Sequence, residues 1–277
     1  MNLMSKILMA TASIAVLSAC GGGSSDTAQA IGTSDPQLRF ANVSPFAPAL
    51  TLARNGGNRT EATNVSNIFL SDYFTVDTGS ADYRVSGQVN TGNPPNPEFA
   101  FSQTINFDAK RGHKYTILTL ADDSVPLPSS GSTARQNTLV LVDDPTNPSL
   151  VDDQSYVRAV NGSFSAKNID LYLIGLTETI DARTPDLPSI AFKQSSPASG
   201  LDAIGRRGGD YQVVATTAGT KNILYRGRFT IPDKRDVLFV TFPYIAFLPT
   251  ENPSGSGIAI AAKLQGDGGR GGRIPSL

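Results

Sequence analysis

Paired carboxylates are the most abundant groups in this sequence that could do chemistry. Three Asp-Asp pairs occur, at 122–123, 143–144 and 152–153, and the last two lie at the two ends of a linker rich in Pro and Asp. Ca²⁺ binds roughly six to eight oxygen ligands, and a junction between domains could supply several of them. The spacing does not match an EF-hand loop, and acidic linker residues are commonly only solvated. We expect no bound metal or cofactor, and the candidate Ca²⁺ ligands are Asp143, Asp144, Asp152 and Asp153.

Groups for nucleophilic or acid–base catalysis are scarce. His113 is the only histidine, which excludes a Ser-His-Asp triad and a multi-histidine zinc site within one chain. No serine lies in a Gly-x-Ser-x-Gly turn. We therefore expect a protein that is not an enzyme. The alternative is a hydrolase of envelope glycans, because such enzymes need only a pair of carboxylates.

Cys20, the only cysteine, lies at the end of an N-terminal export signal. Lys6 precedes a short apolar run over 7–17, and the run ends in Leu-Ser-Ala-Cys. This run is too short to span a bilayer, and small residues before a cleavage point are typical of a signal peptide. The tetrapeptide resembles a lipobox, whose cysteine takes a diacylglycerol before the signal is cut. The sequence therefore predicts lipidation at Cys20, and several acyl chains there would anchor the protein firmly.

The composition excludes some partners and limits the sources of stability. The chain has 277 residues, 39% of them hydrophobic, with 23 Lys and Arg against 24 Asp and Glu. Loss of Lys6 with the signal leaves 22 against 24, a net charge of −2, which gives no basic excess for nucleic acid. No internal disulfide can form without a second cysteine, so stability must come from apolar cores. The length allows one large domain or two ordinary ones.

From residue 37 onward, short alternating runs are separated by Gly, Pro, Asn and Asp, and no stretch has a helical period. This pattern indicates an all-β chain. About seven short strands in each half, with turns between them, are typical of a β-sandwich. The predicted strands are 38–43, 49–54, 64–70, 82–87, 99–107, 114–120 and 137–142, then 156–161, 168–174, 189–193, 210–216, 223–231, 236–242 and 257–264.

The two halves resemble each other in sequence. The segment 38–44 aligns with 157–163 at an offset of 119 positions, and this offset continues through Leu50 and Leu52, which align with Ile169 and Leu171. Asp82 to Val85 resembles 210–213, and Tyr115 aligns with Phe239 after a shared Lys-Arg pair. We interpret the chain as two homologous domains.

Arg39 and Arg158 recur in the two repeats, each three positions before an asparagine. This odd spacing places the arginine and the asparagine on opposite faces of a strand. Ligand contact is one interpretation. The favoured one is structural, with the arginine bonded to carbonyl groups and the asparagine capping the turn. Tyr244 and Phe247 lie in the apolar segment 242–249, which either fills the core or forms an exposed binding edge.

The opening of the first repeat resembles a known bacterial family. Residues 38–50 read Leu-Arg-Phe-Ala-Asn-Val-Ser-Pro-Phe-Ala-Pro-Ala-Leu, similar to the first strand and turn of the DUF4397 domain. The segments 79–85 and 115–117 resemble its Gly-x-Tyr-x-Val and Tyr-Thr-Val strands. The second repeat departs from the pattern, since Phe164 and Lys167 replace its prolines. The family has no established activity, so the resemblance implies a fold and export but no catalytic residues.

These observations predict two tandem immunoglobulin-like β-sandwich domains in an all-β chain. The predicted boundaries are a signal peptide over 1–19, a lipidated flexible tether over 20–36, a first sandwich over 37–143, a linker over 144–154, a second sandwich over 155–265 and a disordered Gly- and Arg-rich tail over 266–277.

The predicted function is that of a non-catalytic binding or structural module, held on a membrane of the bacterial cell envelope. Gly21 after the lipidated cysteine favours the outer membrane, with the protein facing the periplasm or the cell surface. We expect an envelope protein or a glycan as partner and no nucleic acid. The alternatives are the glycan hydrolase and a subunit of an envelope or secretion assembly.

Overall fold

A computed structural model describes residues 33–45, 47, 49–55, 59–66, 68–91, 96–122, 136–145, 153–243, 258–264 and 272–274. The regular structure within them is β-strand, with a short 3₁₀ turn at Gly200–Asp202. Four sheets form two β-sandwiches, which confirms the predicted all-β fold. None of the helical structure among these residues is long and apolar enough to cross a membrane.

The first sandwich contains nine described strands. Its outer sheet has the order β3-β2-β6-β7 and is antiparallel. Its inner sheet has the order β4-β1-β8-β9, with β5 on the other half of β1, and β1 runs parallel to β8. The strands are β1 (Gln37–Asn42), β2 (Leu50–Arg54), β3 (Arg59–Val65), β4 (Phe69–Leu70), β5 (Phe74–Thr75), β6 (Gly79–Thr91), β7 (Asn96–Ala109), β8 (His113–Asp122) and β9 (Gln136–Pro145).

The second sandwich has the same connectivity, with one additional strand at the edge of its inner sheet. Its outer sheet has the order β12-β11-β15-β16, and its inner sheet has the order β13-β10-β17-β18-β19, with β14 also on β10. Its parallel pair is β10 and β17. The strands are β10 (Gln154–Asn161), β11 (Asn168–Ile174), β12 (Leu187–Ala191), β13 (Ser195–Ser196), β14 (Ile204–Arg207), β15 (Gly209–Thr217), β16 (Ile223–Ile231), β17 (Asp236–Pro243), β18 (Ile258–Leu264) and β19 (Gly272–Arg273).

The sequence predicted the two strands at 168–174 and 223–231 with the bounds that the structure has. The single strand predicted at 64–70 is wrong, because the chain leaves the outer sheet there and crosses to the inner one as β4. Asn64 and Ile68 have φ values of 52° and 63°. Asn64 lies at a register irregularity near the end of β3, and Ile68 lies just before β4. Left-handed residues interrupt regular strand pairing, so the run does not continue as one strand.

The second sandwich makes the same crossover. The Ile68 N–H donates to the carbonyl of Asn42 (2.6 Å), and the Lys193 N–H donates to the carbonyl of Asn161 (2.8 Å). Lys193 also has a positive φ, 67°. The crossover from outer to inner sheet therefore has the same backbone geometry in both sandwiches.

Strand pairing corrects part of the internal alignment. Leu38 is opposite Tyr115, whereas the equivalent Val157 is opposite Val237. Tyr115 therefore corresponds to Val237 and not to Phe239, two residues further on. Because side chains alternate across a strand, a shift of two residues keeps the same face towards the core. Sequence similarity alone could not detect this shift.

The two inner sheets pack against each other, and this contact has three parts along β8. The even-numbered residues of β8 face the second sandwich. Lys114 lies in a polar region at the start of the strand, whereas Leu118 and Leu120 lie in an apolar cluster shared with Val240 and other residues of the second inner sheet. At the end of β8, Asp122 forms an ion pair with Lys193, and its side chain is inaccessible to solvent.

Burial on both faces explains why the sequences of the inner strands are continuously apolar. Strands β1 and β8 are buried along nearly their whole length, with one face in the first core and the other against the second sandwich. Such strands have continuous apolar sequences instead of alternating ones. Gly162 lies at the closest approach, because a Cβ there would be 2.8 Å from Cδ2 of Leu120 and 2.5 Å from the Thr241 carbonyl oxygen.

Candidate functional site

A cavity of about 120 Å³ lies in the polar part of the contact between the two inner sheets. Both sandwiches contribute to its wall. Its charged and aromatic side chains come from β1, β8, β9, β10, β17 and the loop before β5, and its apolar rim comes from the turn after β13. The lining residues are Arg39, Tyr73, Lys114, Asp144, Tyr156, Arg158, Gly200, Leu201, Ala203, Asp236, Val237 and Leu238.

The parallel pairing of β1 and β8 positions the groups from the first sandwich. Arg39 is opposite Thr116, and its Nε donates to the Thr116 hydroxyl oxygen at 2.9 Å. The guanidinium carbon of Arg39 lies 4.6 Å from the centre of the Tyr73 ring, and Nζ of Lys114 lies 5.3 Å from it. One aromatic ring therefore contacts two cations that are both nearly inaccessible, with Arg39 and Lys114 each 3% exposed.

The second sandwich contributes Arg158, whose donors are all engaged. Its Nη1 donates to the Asp143 carbonyl (3.0 Å) and forms an ion pair with Asp144. Its Nη2 donates to the Ser195 hydroxyl (3.0 Å), and Nε and Nη2 reach the Pro197 carbonyl. Bonding to carbonyl groups is the structural role that the sequence favoured. The bonds to Asp143 and Asp144 also join β10 of the second sandwich to β9 of the first.

Burial changes the pKa values of several cavity groups, and it raises the pKa of Tyr73. Loss of solvent raises the pKa of Asp236 to about 6, although Lys114 and Arg39 act to lower it. Loss of solvent also lowers the pKa of Lys114 to about 8, against the attraction of Asp236. Burial favours the neutral form of each side chain, whereas an ion pair would favour the charged forms. Both pKa values shift towards the neutral form, so burial outweighs the attraction between the two side chains.

The asparagines of the two repeats face away from this cavity, as the strand period predicted. Asn42 donates to the Val65 carbonyl of its outer sheet (3.1 Å). Asn161 donates to the Ile190 carbonyl of its own outer sheet (3.0 Å) and accepts from the Ser163 N–H (3.1 Å). Each asparagine therefore links an inner sheet to an outer one, and Asn161 also caps the turn after β10.

The candidate Ca²⁺ ligands are not gathered where the structure describes them. Asp143 and Asp144 are neighbours in β9 and point to opposite faces of it. Asp143 contacts Nδ1 of His113 at 2.7 Å, whereas Asp144 faces Arg158. Asp153 is exposed with a φ of 61°. No group of three metal-ligating side chains occurs among the described residues.

Several residues named by sequence analysis lie outside the described residues: Cys20, Asp152, Tyr244 and Phe247. The cavity residues that sequence analysis missed are Tyr73, Lys114, Tyr156, Leu201 and Asp236. One signal could have found Lys114. It is a charged residue at the start of a strand whose sequence is otherwise continuously apolar, and such a strand is buried on both faces.

Comparison with known proteins agrees with the resemblance found in the sequence. Residues 36–172 match the family model described as Domain of unknown function (DUF4397). The match begins just before β1, covers the first sandwich and extends through β10 into β11. No curated protein matches the chain. This protein therefore contains a DUF4397 domain, at residues 36–172.

Proposed function

We propose that the protein is a lipid-anchored binding module of the bacterial cell envelope, in which two homologous DUF4397-type sandwiches share one non-catalytic binding site. The observation that carries this proposal is the buried, charged cavity to which both inner sheets contribute. Buried charges are costly, and residues that only filled an interface would be apolar. Their concentration beside a cavity is typical of a binding site.

The homology of the two sandwiches rests on three agreeing features. These are the sequence offset of 119 positions between Arg39 and Arg158, the shared strand connectivity apart from the additional β19, with one parallel pair in each sandwich, and the shared crossover at Ile68 and Lys193. An immunoglobulin-like fold is supported by the packing of two sheets face to face in each sandwich, although each inner sheet contains one parallel pair.

The anchor rests on the N-terminal sequence. The apolar run before Leu-Ser-Ala-Cys and the single cysteine support lipidation at Cys20, and Gly21 supports an outer-membrane destination. A segment rich in Gly, Ser and Ala separates Cys20 from β1, which would let the sandwiches reach a partner near the membrane. A stable subunit of an envelope assembly would have the same anchor and would differ mainly in its partner.

The glycan hydrolase has one specific observation in its favour, because Asp144 and Asp236 line the same cavity. Two features weigh against it. Asp144 is held by Arg158 and has the role of a structural counter-ion. The cavity of about 120 Å³ is also smaller than the sites that usually hold drug-sized ligands, which measure roughly 300–1,000 Å³.

Metabolic labelling tests the anchor. We expect the full chain to incorporate labelled fatty acid and to fractionate with membranes, and we expect Cys20→Ala to lose the label and retain an uncut signal. Ser24→Ala, in the tether, is the matched control and should be labelled like the natural chain. Labelled fatty acid on Cys20→Ala would contradict the proposal.

Capture from solubilised membranes tests the binding role. The full chain, extracted in mild detergent, should retain a small set of envelope components that Leu201→Glu at the cavity rim releases. A stoichiometric complex that Leu201→Glu does not disturb would instead support the assembly subunit. Hydrolysis of purified envelope glycan that is lost in Asp236→Asn would support the hydrolase.

A further inference from the structure

Arg39 has donors that its surroundings do not use. Its side chain is almost fully buried, with 3% of the residue exposed, and it lines the cavity. Its Nε donates to Thr116, but neither Nη1 nor Nη2 hydrogen-bonds to a described residue. Because Arg39 lines the cavity, these two nitrogens can donate to a ligand there. Arg158, at the equivalent position of the second repeat, already uses all three of its guanidinium nitrogens as donors.

The charges of the cavity wall leave one positive charge without a counter-ion. Three cations line the cavity, namely Arg39, Lys114 and Arg158, together with two carboxylates, Asp144 and Asp236. Asp144 pairs with Arg158, and Asp236 interacts electrostatically with both Lys114 and Arg39. Two carboxylates therefore face three cations, so the wall favours a ligand with a single negative charge.

The rest of the wall limits the size and polarity of the ligand. Tyr156, Leu201, Ala203 and Leu238 provide apolar surface, and Leu201 is 77% exposed at the rim. An engineered apolar cavity of about 150 Å³ holds benzene, so the 120 Å³ of this site suits a ligand of roughly that size. A planar carboxylate fits the two-donor edge of a guanidinium, whereas a phosphate dianion would bring more charge than the site balances.

We propose that the cavity binds a small organic monocarboxylate, whose carboxylate pairs with Nη1 and Nη2 of Arg39 and whose apolar part contacts Tyr156, Leu201 and Leu238. This inference rests on the proposed function and names the ligand class of the same site.

Equilibrium binding to the full chain in detergent tests the proposal with three probes. Benzoate or isobutyrate should bind saturably, whereas the neutral isostere benzamide should bind at least about tenfold more weakly, because it cannot form the charged pair. Inorganic phosphate should not compete. Equal binding of benzoate and benzamide, or displacement of benzoate by phosphate, would overturn the proposal.

Two variants locate the site. Arg39→Gln should weaken benzoate binding by at least about tenfold, whereas Arg183→Gln, which removes an exposed arginine that does not line the cavity, should leave it unchanged. If Arg39→Gln fails to fold, Ala203→Phe decides the question, because a phenyl ring at the rim fills the cavity without removing a charge. Full benzoate affinity in folded Ala203→Phe or folded Arg39→Gln would refute the assignment.

The outcomes separate this proposal from the anchored-module function. A lipidated chain that binds envelope components but no carboxylate would refute the monocarboxylate site and leave the module intact. A chain that binds benzoate through Arg39 but carries no lipid on Cys20 would support the site and contradict the anchor.

Discussion

Arg39 and Arg158 occupy equivalent positions on β1 and β10, yet only Arg158 uses all three guanidinium nitrogens as hydrogen-bond donors. The difference arises from the groups that surround each guanidinium. Arg158 reaches the carbonyl groups near β13 and the carboxylate of Asp144, whereas Arg39 reaches Thr116 and the face of Tyr73. Both arginines line the cavity, but only Arg158 also joins the two sandwiches through its hydrogen bonds.

Breaking the ion pair between Arg158 and Asp144 should destabilise the protein strongly. The two side chains are 5% and 20% exposed, so Arg158→Met leaves Asp144 partly buried without its counter-ion. We expect the free energy of unfolding to fall by about 2–4 kcal/mol. Chemical denaturation followed by circular dichroism measures this.

The exposed pair of Arg183 and Glu178 provides the control. Arg183→Met should leave the denaturation midpoint unchanged within error, because solvent screens that pair. Equal effects of the two substitutions on the free energy of unfolding would show that the ion pair between the sandwiches stabilises the protein no more than a surface ion pair does.

The two sandwiches should stay together after the chain between them is cut. We expect the segment 144–154 to be the most protease-sensitive internal site and to release two β-rich fragments under denaturing conditions. Under native conditions the fragments should co-elute, because the inner sheets share an apolar cluster that includes Leu120 and Val240. Size-exclusion chromatography of the digest measures this.

Val240→Asp should separate the two fragments, because it places a charge in that cluster. Leu176→Asp, at a position 38% exposed, is the control and should leave them associated. Fragments of the natural chain that elute apart would mean that the contact between the sheets is too weak to join the sandwiches. A single resistant core spanning 144–154 would contradict the two-domain division.

The stability of the protein should depend on pH through Asp236. Burial raises the pKa of this carboxyl from 3.8 to about 6 in the folded state. A raised pKa means that the folded state binds more protons between these pH values, so the stabilisation is present below pH 4 and is lost as the pH rises through 6. Asp236→Asn removes this dependence.

We therefore expect the free energy of unfolding to fall between pH 4 and pH 7 by about 1–3 kcal/mol more in the natural chain than in Asp236→Asn. Urea denaturation at a series of pH values measures the difference. Asp202→Asn, an exposed carboxylate in the turn at the cavity rim, controls for the loss of a negative charge. Parallel pH profiles for Asp236→Asn and the natural chain would show that burial does not disfavour the ionised carboxylate.

Calcium should not stabilise the protein. Asp143 and Asp144 point to opposite faces of β9 and already contact His113 and Arg158. Thermal melts in EDTA and in millimolar Ca²⁺ should coincide, with Mg²⁺ at equal ionic strength as the control. Saturation to 100 times a dissociation constant would add about 2.7 kcal/mol, which a melt detects easily. A rise of several degrees that disappears in the Asp143→Asn, Asp153→Asn double variant would make the acidic segment a Ca²⁺ site.

Local chemistry in the sequence was sufficient to predict much of the architecture. Strand positions follow from alternating polarity and turn residues, and the two-residue period placed Arg39 and Asn42 on opposite faces before any pairing was known. The repeat offset and the tetrapeptide that resembles a lipobox are likewise properties of short segments. They predicted two similar domains and an anchor at Cys20 without reference to any long-range contact.

Only the tertiary structure decided which strand faces meet and what each buried charge contacts. Arg39 and Thr116 are 77 positions apart and become neighbours through a parallel pairing that no short segment encodes. The contact between the two inner sheets brings together side chains from five strands of two domains. The sequence of one strand does not specify which residues of another strand its side chains will contact. The inner sheets pack through an apolar cluster at Leu118 and Leu120 of β8 and enclose unlike charges around Lys114 at its start. The cavity is therefore a property of the packed interface and not of any one strand.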